Sequence, residues 1–184
     1  MTVRILSRVS PAKKIASVSA PAREVSVANR HPLLRVNRAA LARVISLLEA
    51  NAARIGLRPV EIPHGELSIV FLTDSALAKL HGDFLDEPTT TDVITFEGDR
   101  LAGTAGEICV SVDAAASYAK ANGHDFSTEL TLYVVHGWLH LAGHDDLAPK
   151  DKRAMRRAEA RAMRVLQHAG AIPEFKFRVK RSSR

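Results

Sequence analysis

Two histidines four residues apart, His136 and His140, stand inside the run V-V-H-G-W-L-H-L-A-G-H-D-D from Val134 to Asp146. At that spacing a helix projects both imidazoles from one face, about one turn apart. This is how a helix offers two nitrogens to one metal ion, as in the H-E-x-x-H arrangement. Gly143 suits the left-handed residue that ends a helix. His144, Asp145 and Asp146 follow in a turn able to swing a third ligand back toward the pair. Histidines at this spacing on an apolar helix are sometimes merely packed. A further histidine and two aspartates within six residues favour a zinc-type centre with one coordination position left open. Gly137 occupies the place where H-E-x-x-H proteases carry their general-base glutamate, which argues against ordinary zinc-protease chemistry.

The chain has 184 residues, the size of one domain with a real core. No apolar run is long enough to span a bilayer, so a soluble protein without membrane contact is expected. Cys109 is the only cysteine, which rules out an internal disulfide and suits a reducing, cytoplasmic setting. Its apolar, strand-like surroundings make it a small buried hydrophobe.

The net charge of +6 is unevenly spread. Residues 1–23 carry five basic residues and no acid, and residues 175–184 carry five more with no acid. Residues 24–148 hold 9 basic residues against 17 acidic ones. An acidic body with basic ends and a basic last helix suits a polyanion held by those parts. Residues 1–23, rich in Ser, Ala, Val and basic residues with two prolines, read as a disordered extension. Their acid-free start also resembles a mitochondrial transit peptide.

Along the chain, Glu24–Asn29 alternates like a strand, and Asn37 can cap a helix whose positions Leu41, Val44, Ile45 and Leu48 recur at helical spacing. Glu66–Leu72 reads as a buried strand, followed by a short helix capped by Thr73 or Asp74. Asp92–Phe96 and Glu107–Ser111 are two more strands, and Ser111 or Asp113 starts the next helix, which ends near Gly123. Ser127 reads as the cap of the histidine helix, with Glu129 one place off a capping box. The last helix opens at Pro149 and ends near Gln167, with Met155, Ala158, Ala162, Val165, Leu166 and Ala169 as its apolar stripe. The expectation is an α/β (α+β) domain: a single mixed sheet of about four strands, packed with four to five helices. There is no repeat and no Gly-rich phosphate loop.

The run H-G-W-L-H-L-A-G-H-D-D resembles the H-G-x-L-H-L-x-G-Y-D-H signature of the YbeY family of metal-dependent endoribonucleases. Four more stretches agree in order. L-H-G-D-F-L-D-E-P-T-T-T-D-V-I-T-F from Leu80 to Phe96 is similar to the family's L-N-x-x-Y-R…P-T-D-V-L-S-F run, and Gly106–Ser111 to G-D-I-x-I-S. Gly123–Leu130 resembles the family's G-H-x-x-x-x-E-L approach to the metal helix, and the strand Leu67–Leu72 before Thr73-Asp74 sits where the family has its own. The resemblance covers roughly residues 24–170, with a basic N-terminal extension over 1–23 and a basic C-terminal tail over 171–184.

It implies a zinc-dependent, single-strand-specific endoribonuclease, with one Zn2+, that matures the 3′ end of small-subunit ribosomal RNA and takes part in ribosome quality control. Implied partners are ribosomal RNA and the small ribosomal subunit, with ribosomal proteins and an assembly GTPase. The metal ligands it implies are His136, His140 and, at the family's third histidine position, Asp146, with His144 as the alternative; zinc accepts a carboxylate oxygen. Asp145 is the candidate catalytic residue, as a proton acceptor or as an orienter of a ligand imidazole, with a plain turn residue as the alternative. Thr91 and Asp92 match the family's T-D pair. Leu85 stands where the family commonly carries an arginine; Arg58, Arg100 or an arginine of the last helix are the candidates to replace it. Two other functions fit the same residues: a ribosome-associated assembly factor whose metal is structural, and a metal-dependent hydrolase of another substrate.

Overall fold

The computed structural model describes residues 23–58, 61–62, 64–85, 91–99 and 101–178. The expected N-terminal extension, apart from Arg23, and the candidate Arg100 lie outside the described residues. Twelve elements follow one another: β1 (Val25–Asn29), β2 (Leu34–Arg35), α1 (Arg38–Ala50), α2 (Ala52–Ile55), β3 (Glu66–Leu72), α3 (Asp74–Leu85), β4 (Val93–Glu97), β5 (Thr104–Ser111), α4 (Val112–Asn122), α5 (Phe126–Leu141), α6 (Pro149–His168) and β6 (Lys176–Phe177). Among them no helix is long and apolar enough to cross a membrane.

The main sheet has the order β1-β3-β5-β4, with β1, β3 and β5 parallel and β4 antiparallel to β5. This is the mixed four-stranded sheet expected from the sequence. Its period-two alternation sends Ile69, Phe71, Ile108, Val110 and Val93 to one face, where α1, α4, α5 and α6 close the larger core. Val70, Leu72, Cys109 and Ile94 point to the other face, where Leu77 and Leu80 of α3 cover them. Cys109 is buried there, and burial holds its thiol pKa far above the usual range.

The helix caps follow local chemistry. Asn37 Oδ1 accepts from the Ala40 N–H at 3.1 Å, and all four predicted α1 core positions are fully buried. Ser111 caps α4 through the Ala114 N–H. The cap of α5 differs from expectation. Asp125, not Ser127, accepts from the Thr128 N–H at 2.7 Å, so Ser127 falls inside the first turn. The aspartate starts the helix two residues earlier, and the Ser127 hydroxyl is free to accept from the Phe175 N–H instead, at 3.0 Å.

The stretch after α6 also differs. Residues 171–175 pack onto the body, with Ala171 and Phe175 buried and Phe175 against Phe71 and Phe126. Beyond them β6 pairs with β2 in a two-residue antiparallel ladder that no sequence pattern announced. So the body extends past the expected boundary at 170, and residues 179–184 of the expected tail lie outside the described residues.

A candidate metal centre at the end of the histidine helix

The site is built on α5, the most deeply buried helix. Leu130, Val134, Val135, Trp138 and Leu139 are fully buried, each stabilising the fold by about 1.5–3 kcal/mol. Gly137 lets this helix lie directly on the sheet. A Cβ there would stand 2.5 Å from Ile108 Cγ2 and 3.2 Å from Val93 Cγ1. A glutamate at this position would have to enter the β4–β5 surface, so the absence of the protease base is a packing necessity. The helix ends in a Schellman motif: Gly143, at φ 93°, donates to the His140 carbonyl, and the His144 N–H reaches the Leu139 carbonyl at 3.0 Å. That closure turns the chain back, and Asp146 returns beside the two histidines.

His136, His140 and Asp146 each offer one ligand atom, and these atoms all lie within 4.8 Å of one another. The two imidazole Nε2 atoms are 2.9 Å apart, and His140 Nε2 is 3.7 Å from Asp146 Oδ1. The far side of each ring is fixed by an acceptor. Glu159 Oε1 of α6 lies 2.7 Å from His136 Nδ1, and the His144 carbonyl lies 3.0 Å from His140 Nδ1. Neither partner can donate, so each Nδ1 carries a proton, and in that tautomer a ring turns its Nε2 toward the other ring and the carboxylate. The two nitrogens and the carboxylate oxygen thus face one another as a set of possible ligand atoms. That donor set fits a cation, and the carboxylate–histidine pairing of Glu159 and His136 is the usual support of a ligand imidazole. Burial, then the neighbouring His136, push the pKa of His140 down to about 4, while Asp146 acts the other way. His140 is therefore neutral at pH 7, as a ligand must be.

His144 does not join the cluster. It contributes its backbone carbonyl to His140, while its half-buried ring has a pKa lowered by burial, raised by Glu61 and lowered by Arg161 of α6. Asp145 Oδ1 accepts from the N–H groups of Asp146, at 2.7 Å, and Leu147, at 3.2 Å. Its carboxylate thus forms the turn that delivers Asp146.

A cleft of about 290 Å³ opens on His136 and Asp146, lined also by Asp92, Tyr118, Glu129, Tyr133, Lys152, Arg156 and Glu159. Asp92 lies at the head of β4, where its Oδ1 accepts from the Val93 N–H. Lys152 and Arg156 come from the last helix, one of the sources considered for a cation in place of the arginine absent at Leu85. His124 stays outside the centre, holding Glu129 at 3.2 Å near the start of α5. Glu159 is the residue the sequence reasoning missed. Its signal was slight: it is the one acid of α6 after Asp151, on the border of the apolar stripe, amid arginines.

Known proteins resemble the chain in sequence and in fold. The family model described as Endoribonuclease YbeY matches residues 27–167. Proteins named Endoribonuclease YbeY from Kineococcus radiotolerans, Porphyromonas gingivalis and Protochlamydia amoebophila are 39%, 37% and 40% identical to the chain over 50%, 56% and 55% of it. The matched stretch spans 60% of the length of the first relative, 68% of the second and 71% of the third. A protein from Thermotoga maritima of known solution structure shares the fold, with a TM-score of 0.51 at 19% identity over 87% of this chain and 99% of that one. The family match takes in most of β1, all of β3, β4 and β5, and all three members of the His-His-Asp cluster, and on it the chain belongs to the YbeY family of endoribonucleases.

Proposed function

We propose that this chain is a zinc-dependent endoribonuclease that cuts single-stranded RNA, acting in the cytoplasm at the 3′ end of small-subunit ribosomal RNA and in ribosome quality control. The ribosomal subunit, its proteins and an assembly GTPase are the partners this reading implies. The observation that carries it is the convergence of the His136, His140 and Asp146 ligand atoms at the edge of a cleft, in a member of this family. A divalent ion held there supplies Lewis-acid chemistry, lowering the pKa of a water and polarising a phosphoryl oxygen.

The chain's own residues do the rest. Glu159 and the His144 carbonyl hold the two rings in the ligand tautomer. Asp145 keeps the turn closed so that Asp146 faces His140. Lys152 and Arg156, on the α6 wall, are placed to hold the phosphate of the strand, a role leucine at position 85 cannot fill. Leu85 also favours a second reading, an assembly factor whose metal is structural.

One experiment decides between them. Elemental analysis of wild type and Asp146→Ala is run beside a cleavage assay on single-stranded RNA that includes His136→Ala. The expected result is near-stoichiometric zinc that falls sharply in Asp146→Ala, and cleavage lowered roughly a thousandfold or more in His136→Ala, the several kcal/mol a metal contributes. Cleavage that survives His136→Ala removes the metal-dependent mechanism, and metal-loaded protein that cuts nothing removes the nuclease reading and leaves the assembly factor.

A further inference from the structure

A second hollow, of about 470 Å³, lies between α1–α2 and the C-terminal half of α6. Its polar lining is Arg54, Arg161, Arg164, His168 and Asn51, over a floor of apolar residues such as Leu47 and Val165, and it contains no carboxylate. Three guanidinium groups around one space repel each other unless an anion is shared among them. Arg54 and Arg164 are exposed, and the bond described for Arg54 goes to a neutral atom, Asn51 Oδ1, at 3.2 Å. Arg161 is held in place. Its Nε donates to the Ile55 carbonyl, and its guanidinium lies against Gly56, where a Cβ would stand 2.7 Å from Nη2. So fixed, Arg161 lines the hollow, and a guanidinium is the fork that suits phosphate oxygens.

The hollow also adjoins the metal centre. Arg161 is near enough to act on His144, in the turn that follows the metal helix. Arg156 lines the metal cleft and Arg164 the hollow, and eight residues of helix separate them, about 12 Å. Arg157 is exposed on the same helix in the interval, and Arg153 just before it. A basic track therefore runs from the cleft over α6 into the hollow.

We infer that this hollow is a second RNA-binding site, which grips the phosphate backbone of the strand a few nucleotides from the bond being cut. No Phe, Tyr or Trp lines it to stack bases, so the grip is mainly on the backbone and independent of sequence. The inference rests on the RNA reading of the neighbouring cleft, and it adds a site on another face of α6.

The test uses the full chain with Arg54→Ala and Arg164→Ala combined; both side chains are exposed, and Arg161 is left in place because it also bonds Ile55. Affinity for a labelled single-stranded oligouridylate is followed by anisotropy across a salt series in EDTA, so that cleavage does not enter. The expected result is roughly tenfold weaker binding and a salt dependence shallower by about 1.4, or about 0.7 per lost phosphate contact. With metal present, kcat/KM on the long strand falls to match, while zinc content and kcat stay at wild-type values. Affinity and salt slope equal to wild type overturn the proposal and leave an acidic protein segment as the occupant to seek. Because the binding arm needs no catalysis, wild-type protein that binds but never cleaves defeats the nuclease reading without touching this one.

Discussion

The two hollows along α6 are opposites. The N-terminal half of the helix borders a cleft with four carboxylates, Asp92, Glu129, Asp146 and Glu159, against Lys152 and Arg156. The C-terminal half borders a larger hollow with three arginines and no acid. A divalent ion would neutralise the surplus of the first. Nothing inside the second neutralises its charge, so its counter-charge has to arrive from outside. Helix charge alone does not separate these roles, because the same stripe of arginines runs past both. What separates them is Glu159, set among those arginines and turned onto His136. One carboxylate turns half of an arginine-rich helix into the wall of a candidate metal centre.

The largest effect short of removing a ligand is therefore expected at Glu159. Glu159→Gln keeps an acceptor but removes the charge behind the imidazole, and metal affinity should fall about 10–100-fold in a chelator competition. RNA affinity in EDTA, which we assign to the basic residues along the helix, should not fall. Equal metal affinity in wild type and variant would mean that His136 does not bind through the nitrogen this pairing leaves exposed.

A second contrast comes from acid. His140 is buried and its pKa in the fold is lowered to about 4, against 6.5 in an open chain. Between those values the unfolded chain binds a proton that the native metal-free chain refuses, so unfolded material gains. The stability tied to a neutral His140 is complete above about pH 6.5 and is lost as the pH falls toward about 4, on the order of 2–3 kcal/mol. Urea denaturation of EDTA-treated protein at several pH values should show this slope, and His140→Gln should lack it. If both proteins lose stability alike, some group other than His140 is responsible.

How far the sequence showed all this depended on the range of each interaction. Asn37, Ser111 and Gly143 act within a few residues of themselves, so cap and helix end could be read directly. The His136–His140 pair was legible for the same reason. The cap of α5 was not, because Asp125 and Ser127 both suit the role and the choice depends on Phe175, 48 residues away from Ser127. Glu159 was hidden by a separation of 23 residues from His136, and its meaning exists only once α6 packs on α5. The β2–β6 ladder is shorter still in signal, two residues on each side with no room for a period to show. Gly137 could be noticed as a missing glutamate, but its reason lay in β4 and β5.

That reason yields the smallest expected effect, on stability. Gly137→Ala gains helix propensity, about 1 kcal/mol, yet its methyl enters the space of Ile108 Cγ2 with Val93 and Thr95 close behind. Ile108 is fully buried in a packed strand and cannot swing away. The helix must lift from the sheet or Ile108 must shift, at about 1–3 kcal/mol, which leaves a net loss of up to about 2 kcal/mol. Lifting α5 would also move His136 against Glu159, which α6 holds, so metal affinity should weaken slightly while RNA binding in EDTA stays constant. A double-mutant cycle tests the cause: Ile108→Ala should cost less beside Gly137→Ala than alone, because each relieves the other. Additive costs would show that the methyl never reaches Ile108, and that α5 sits on the sheet for some reason other than the glycine.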